Sequence, residues 1–140
     1  MDIRKILVGF DGSESSKKAF AEAIDLAKKL HASLTVLTVI NLPDFSPTLD
    51  EVNEEIEEAE KHYQPLLGDL RETGAKNGVL VNVTMVKGHP SESLIKYAQE
   101  QKMDLIIIGT RGAGGFKKLL IGSVAQKVVS YSSVPVLVIK

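Results

Sequence analysis

Residues 103–124 read MDLIIIGTRGAGGFKKLLIGSV, and the opening six of them decide the fold class. Leu105–Ile108 is a near-continuous apolar run, the pattern of a central parallel strand covered on both faces. Five glycines then fall within the sixteen residues 109–124. A glycine inside an element costs roughly 0.5–1 kcal/mol relative to alanine, so this density calls for a turn or a ligand.

Outward from this strand, apolar runs alternate with helical patterns along the whole chain. KILVGF near the N-terminus precedes a stretch in which Ala19, Phe20, Ala23, Ile24, Ala27 and Leu30 recur at helical spacing. SLTVLTVI follows, then a proline-containing loop, NLPDFSP. A second helix starts near Asp50, with Val52, Ile56, Ala59, Tyr63, Leu67 and Leu70 facing inward and a kink expected at Pro65. Its acidic run EVNEEIEEAE is interrupted by apolar residues at helical spacing and reads as a solvated face. VLVNVTMV alternates as an edge or half-exposed strand does. Pro90 opens a helix with Leu94, Ile95 and Ala98 inward, and VAQKVVSYSS is the last helix before VPVLVIK. Strict β-α alternation, with no repeat and no linker, predicts one α/β domain over residues 1–140, a parallel sheet sandwiched by helices.

Composition narrows the function. The 140 residues are 44% hydrophobic and 25% charged, an ordinary globular balance. A net charge of −1 gives the domain no overall attraction to nucleic acid. The absence of cysteine excludes disulfides, thiolate catalysis and sulfur-ligated zinc. No apolar stretch approaches the ~20 residues of a membrane span, and the N-terminal run is too short for a signal-peptide core. A cytoplasmic protein is expected.

In open parallel sheets, ligands bind beyond the carboxyl ends of the strands, where the strand order reverses. Two loops at such ends carry suggestive residues: Gly9-Phe10-Asp11-Gly12-Ser13 and the glycine stretch. A Walker A loop fails, because Gly109 and Gly114 are followed by Gly115 rather than lysine. A dinucleotide fingerprint from Gly112 reaches Gly114 and then Lys117, and fails as well. What remains is a glycine at a strand exit (Gly109), one in the loop (Gly112) and one at a helix start (Gly122-Ser123). A helix N-terminus offers unpaired N–H groups and partial positive charge to phosphate oxygens, and glycine lets an anion approach the backbone. Arg111, Lys117 and Lys118 add charge or are simply solvated.

The spacing Gly109-x2-Gly112-x9-Gly122-Ser123 resembles the ATP-binding signature of the universal stress protein family. The order of elements, Asp11 after the first strand and the closing VPVLVIK are similar too, so the resemblance spans essentially the whole chain. It implies a three-layer sandwich of the adenine nucleotide alpha hydrolase-like type, a five-stranded parallel sheet in the order 3-2-1-4-5 with four helices. It also implies an ATP-binding regulator of the stress response, with Mg²⁺ bridging phosphates and at most slow hydrolysis. By the same resemblance Asp11 contacts the adenosine part and the backbone near Val39 pairs with the adenine edge. Gly109, Gly112, Gly122, Ser123 and the N–H of Val124 hold ribose and phosphates, and Gly88 lies near the nucleotide. A homodimer through the C-terminal strand, Val134 to Ile139, is implied as well. Independently, an uncovered final strand invites pairing with another chain.

Structural readings stand beside these. Asp11 or Ser13 fits an N-cap of the first helix, and Ser123-Val124-Ala125-Gln126 fits a capping box. Gly74 and Gly78 read as a helix stop and turn; Gly114 and Gly115 add loop freedom. His31, His62 and His89 lack metal-ligand spacing, and Phe20 and Tyr63 occupy helix-core positions. No catalytic set emerges, since no general base is aimed at a γ-phosphate. Two alternatives remain open: an AMP or cyclic-nucleotide sensor or partner-binding scaffold of the same fold, and a slow ATPase or self-phosphorylating enzyme.

Overall fold

A computed structural model of the chain describes residues 1–41, 48–110 and 122–140. Nine elements alternate in chain order: β1 (Lys5–Gly9), α1 (Glu14–Leu30), β2 (Ser33–Ile40), α2 (Leu49–Lys76), β3 (Val81–Lys87), α3 (Pro90–Glu100), β4 (Leu105–Gly109), α4 (Ser123–Tyr131) and β5 (Val136–Ile139). The strands form one sheet in the order β3-β2-β1-β4-β5. Every pairing is parallel. The order expected from the family resemblance is the order found.

Side chains alternate across a strand, so a central parallel strand must be apolar at every position. β1 and β4 meet that demand. Ile6 and Val8 pack with Phe20, Ala23 and Ile24 of α1 and Leu67 of α2 on one face. Leu7, Ile106 and Ile108 pack with Leu94, Ala98, Ala125 and Val128 of α3 and α4 on the other. β3 and β5 are the edges and are only partly covered, as the alternation in VLVNVTMV predicts.

Two local expectations are corrected, at Leu30 and at Gly74. Leu30 lies at the end of the α1 stripe but is exposed, beyond the last contact with the sheet. α2 is a single 28-residue helix that continues through the exposed Pro65. Gly74 is no helix stop: it is buried inside α2, where an added Cβ would lie 2.9 Å from the Val79 carbonyl oxygen and would overlap the Val81 side chain. The helix needs glycine there to close on β3, and the turn falls to Gly78, at φ +71°. The acidic residues 51, 54, 55, 57 and 58 are exposed, as a solvated face requires. Most of NLPDFSP (42–47) lies outside the described residues.

Candidate functional site

The sheet order reverses between β1 and β4, so the chain leaves these neighbouring strands in opposite directions. The carboxyl ends of β1 and β4 therefore flank a crevice, and the residues around it can be built up strand by strand.

The β1 exit is held from several sides. Phe10 is buried, its amide donates to the Leu37 carbonyl (3.0 Å) and its own carbonyl accepts from Thr38 Oγ1 (2.8 Å). Asp11 comes next and is half-buried; its Oδ1 accepts from the Ser13 amide (3.0 Å), an Asx turn. Its carbonyl accepts from the Tyr63 hydroxyl (3.2 Å). Gly12 supplies the positive φ, +81°, that the turn requires. The N-cap of α1 is Ser13, whose Oγ accepts from the Ser16 amide (3.1 Å), not Asp11.

Val39 lies one strand away. In a parallel sheet, alternate residues direct both backbone groups to the same neighbour. Ser33 and Leu37 bond toward β1, whereas Leu34 and Ile40 bond toward β3. Val39 shares the parity of Leu37, so its N–H and C=O aim at the β1 side. It stands two residues beyond Leu37, the last residue in register with β1. Its main chain thus faces the crevice, as a partner for an adenine edge must.

The β4 exit is shaped by close packing. A Cβ on Gly109 would overlap Ser15 Oγ and lie 2.6 Å from the Ser15 carbonyl oxygen. The first turn of α1 can rest on the end of β4 only because residue 109 has no side chain. Gly109 therefore has a structural reason to be glycine besides any ligand. Gly112, Gly114, Gly115, Arg111, Lys117 and Lys118 fall outside the described residues.

At the far end of that loop the Gly122 amide donates to the Thr110 carbonyl, closing the segment at its base. Gly122, not Ser123, is the N-cap of α4; the capping box expected at Ser123 does not form, because Ser123 is already the first helical residue. Gly122 spends its own N–H on Thr110, so it contributes space rather than a donor. As a glycine, the N-cap residue has no side chain with which to cap the first-turn amides of Ser123 and Val124. Ser13 and Thr48 cap α1 and α2 with their side chains, whereas neither His89 at α3 nor Gly122 at α4 does; of these two, the α4 terminus is the one beside the β4 exit, where an anion would be received.

Gly88 sits at the β3 exit, two strands from β1. Its φ of +147° and an added Cβ 2.9 Å from Ser93 Oγ explain the glycine without a ligand. Two cavities lie elsewhere: one of about 380 Å³ between α2 and β3, and one of about 720 Å³ between α3 and α4. Neither is lined by a residue of the β1 or β4 exit, and the strand-end geometry is the stronger guide. Among the described residues no group of three His, Cys, Asp or Glu could hold a metal ion, and no helix is long and apolar enough to cross a membrane.

Sequence reasoning treated Tyr63 as packing alone, and its hydroxyl proves to reach the Asp11 main chain. Burial pushes the Tyr63 phenol up, and the negative charge of Asp11 adds to the effect. The folded state therefore holds this proton to higher pH than the unfolded chain does. The contribution is fully present below the ordinary tyrosine value of about 10 and is lost as pH rises through the folded value. Tyr63→Phe is expected to flatten that alkaline loss in thermal melts run against pH; an unaltered alkaline limb would assign the loss to other groups.

The Universal stress protein family model matches residues 2–140. The chain is 31% identical to Universal stress protein YxiE of Bacillus subtilis (strain 168), covering 97% of this chain and 98% of that one. Among solved structures, the universal stress protein UspA from Lactobacillus plantarum superposes with a TM-score of 0.93 at 26% identity, covering 100% and 99% of the two chains. A universal stress protein solved in complex with cAMP superposes with a TM-score of 0.76 at 25% identity, covering 100% and 99%.

Proposed function

The chain belongs to the universal stress protein family, and from that membership we propose that it binds ATP in the β1/β4 crevice and acts as a nucleotide-dependent regulator in the stress response. The observation that carries this reading is the start of α4 after a glycine N-cap, whose amide is bonded to Thr110 next to the β4 exit. Amide hydrogens and the helix dipole there complement phosphate oxygens. A relative of the same fold has been solved with cAMP, which supports an adenine nucleotide as the ligand class.

In this reading Asp11 takes the ribose or base and the Val39 main chain takes the adenine edge. Ser123 and Val124 donate amides to phosphate, Gly112 and Gly122 leave room for it, and Gly109 lets α1 close on the β4 exit beside the ribose and phosphates. Gly88 stands at the margin. These groups fit an adenine nucleotide. The described residues supply no cage for a metal, so a Mg²⁺ arriving with ATP would be held chiefly by phosphate oxygens and water, its common habit. A cation there neutralises phosphate charge; the chain's own part is to bind and orient the nucleotide. Hydrolysis in this reading is at most slow, as positioning alone gives little rate enhancement. The cytoplasm supplies such a ligand.

Calorimetry with ATP, AMP and cAMP tests the assignment. Tightest binding of ATP, with no phosphate release over hours, supports the regulator. Tighter AMP or cAMP points to the sensor, steady release to the hydrolase, and no heat with any of them to a scaffold.

A homodimer through Val134–Ile139 completes the reading. The Ile106 amide donates to the Pro135 carbonyl, so Val136 and Val138, of opposite parity, aim their backbone groups at the open edge. Proline is tolerated on an edge whose N–H faces solvent, yet it removes the donor a partner strand would use. Val138→Pro is expected to sediment as a monomer with an intact fold. A dimer unchanged in that variant would place the interface elsewhere.

A further inference from the structure

We propose that Tyr63 is a positioning residue of the crevice: from α2 its hydroxyl holds the Asp11 carbonyl and thereby fixes the aim of the Asp11 carboxylate. The inference rests on the nucleotide reading only for its consequence in affinity.

Asp11 belongs to a turn built on Gly12 at φ +81°, and such a turn has little stiffness of its own. The groups that limit its freedom include the Ser13 amide on Oδ1 (3.0 Å), Ser16 Oγ accepting from the Asp11 amide (3.4 Å), and Tyr63 Oη on the carbonyl (3.2 Å). The first two come from the same short stretch and move with it. Tyr63 comes from another element, 52 residues along the chain.

α2 is anchored to the core by the buried Leu67, with Leu66 and Leu70 packed beside it, and Tyr63 belongs to the same cluster, which makes it a fixed post. The ring also walls the turn: a Cβ on Gly12 would lie 3.9 Å from Tyr63 Cε1 and 3.7 Å from Leu66 Cδ1. A peptide carbonyl cannot rotate without turning the backbone on either side of it, so pinning the Asp11 carbonyl steadies the turn that carries the Ser13 amide, and that amide in turn holds Asp11 Oδ1. Phe10, immediately before, is held by Leu37 and Thr38. The exit is therefore braced from β2 and α2, and Tyr63 is where α2 bonds to Asp11.

Tyr63→Phe removes the hydroxyl while keeping the ring. Two measurements separate position from affinity. In ligand-free protein, hydrogen exchange of the Ser13 amide, the reporter of the Asp11 turn, is expected to quicken by about five-fold, the size of one lost neutral hydrogen bond. Amides of β1 and β4 should be unaffected. Calorimetry is expected to show ATP affinity lowered by a similar factor, while Gln64→Ala on the neighbouring exposed position leaves it unchanged. Unaltered Ser13 exchange overturns the proposal, as does quickened exchange with affinity equal to wild type. Quickened exchange in a protein that binds no ATP would sustain the positioning role and remove the nucleotide reading instead.

Discussion

Gly122→Val is expected to lower ATP affinity by about 100-fold, roughly 2.7 kcal/mol, while the domain remains folded. The difference between the two effects follows from the geometry. Gly122 has φ −65° and ψ 163°, a conformation open to any residue, so valine meets no backbone strain. Losing glycine at an N-cap for a branched apolar residue costs on the order of 1 kcal/mol. The loss in binding is larger because the new methyl groups stand beside the Ser123 and Val124 amides, where phosphate oxygens would be received, and charge-assisted hydrogen bonds contribute about 1.5–3 kcal/mol each. Gly122→Ser separates crowding from competition. Serine is a good N-cap whose oxygen would itself take a first-turn amide, so it should raise the melting temperature slightly and still weaken ATP. Wild-type affinity in the valine variant would remove α4 from the site.

Gly109→Ala should act on the fold instead, with a loss of about 3 kcal/mol, at the upper end of overpacking costs. For a domain of this size that corresponds to a fall of about 10 °C in melting temperature. The atoms an added Cβ meets include the Ser15 carbonyl oxygen at 2.6 Å and carbonyl carbon at 2.8 Å, and main-chain atoms have no rotamer to escape into. Either α1 lifts from the sheet or β4 bends. Gly68→Ala is the matched control: it lies inside α2 with no atom within 4 Å of an added Cβ, so it should be neutral or stabilising by up to about 1 kcal/mol. Equal melting temperatures for the two variants would show that the α1–β4 approach yields easily.

The architecture was legible because each element carries its own instruction. Ile6–Val8 and Ile106–Ile108 are apolar at every position, and only strands covered on both faces need that. The loops at the β1 and β4 exits follow from the rule that ligands gather at the carboxyl ends of parallel strands, whereas the order that makes these two strands neighbours rests on the family resemblance.

What stayed hidden is of a different kind. Gly74 and Gly109 are glycine because of atoms across a gap, the Val79 main chain and Val81 side chain in one case and Ser15 in the other. No pattern within a segment records what packs against it. Ser123 looked like a cap because serine favours that position, yet the cap falls on Gly122, whose amide is taken by the Thr110 carbonyl. Tyr63 sits at core spacing, and the partner of its hydroxyl is a main-chain oxygen, which leaves no trace in residue identity.

The bond between Thr110 and Gly122 has a consequence for how such a protein changes over time. It brings together the two ends of a stretch of eleven residues, and each doubling of a stretch closed in this way adds only about 0.6 kcal/mol of chain entropy. On entropy alone, an insertion between positions 110 and 122 is far cheaper than one inside β4 or α4, where it would shift every later side chain to another face.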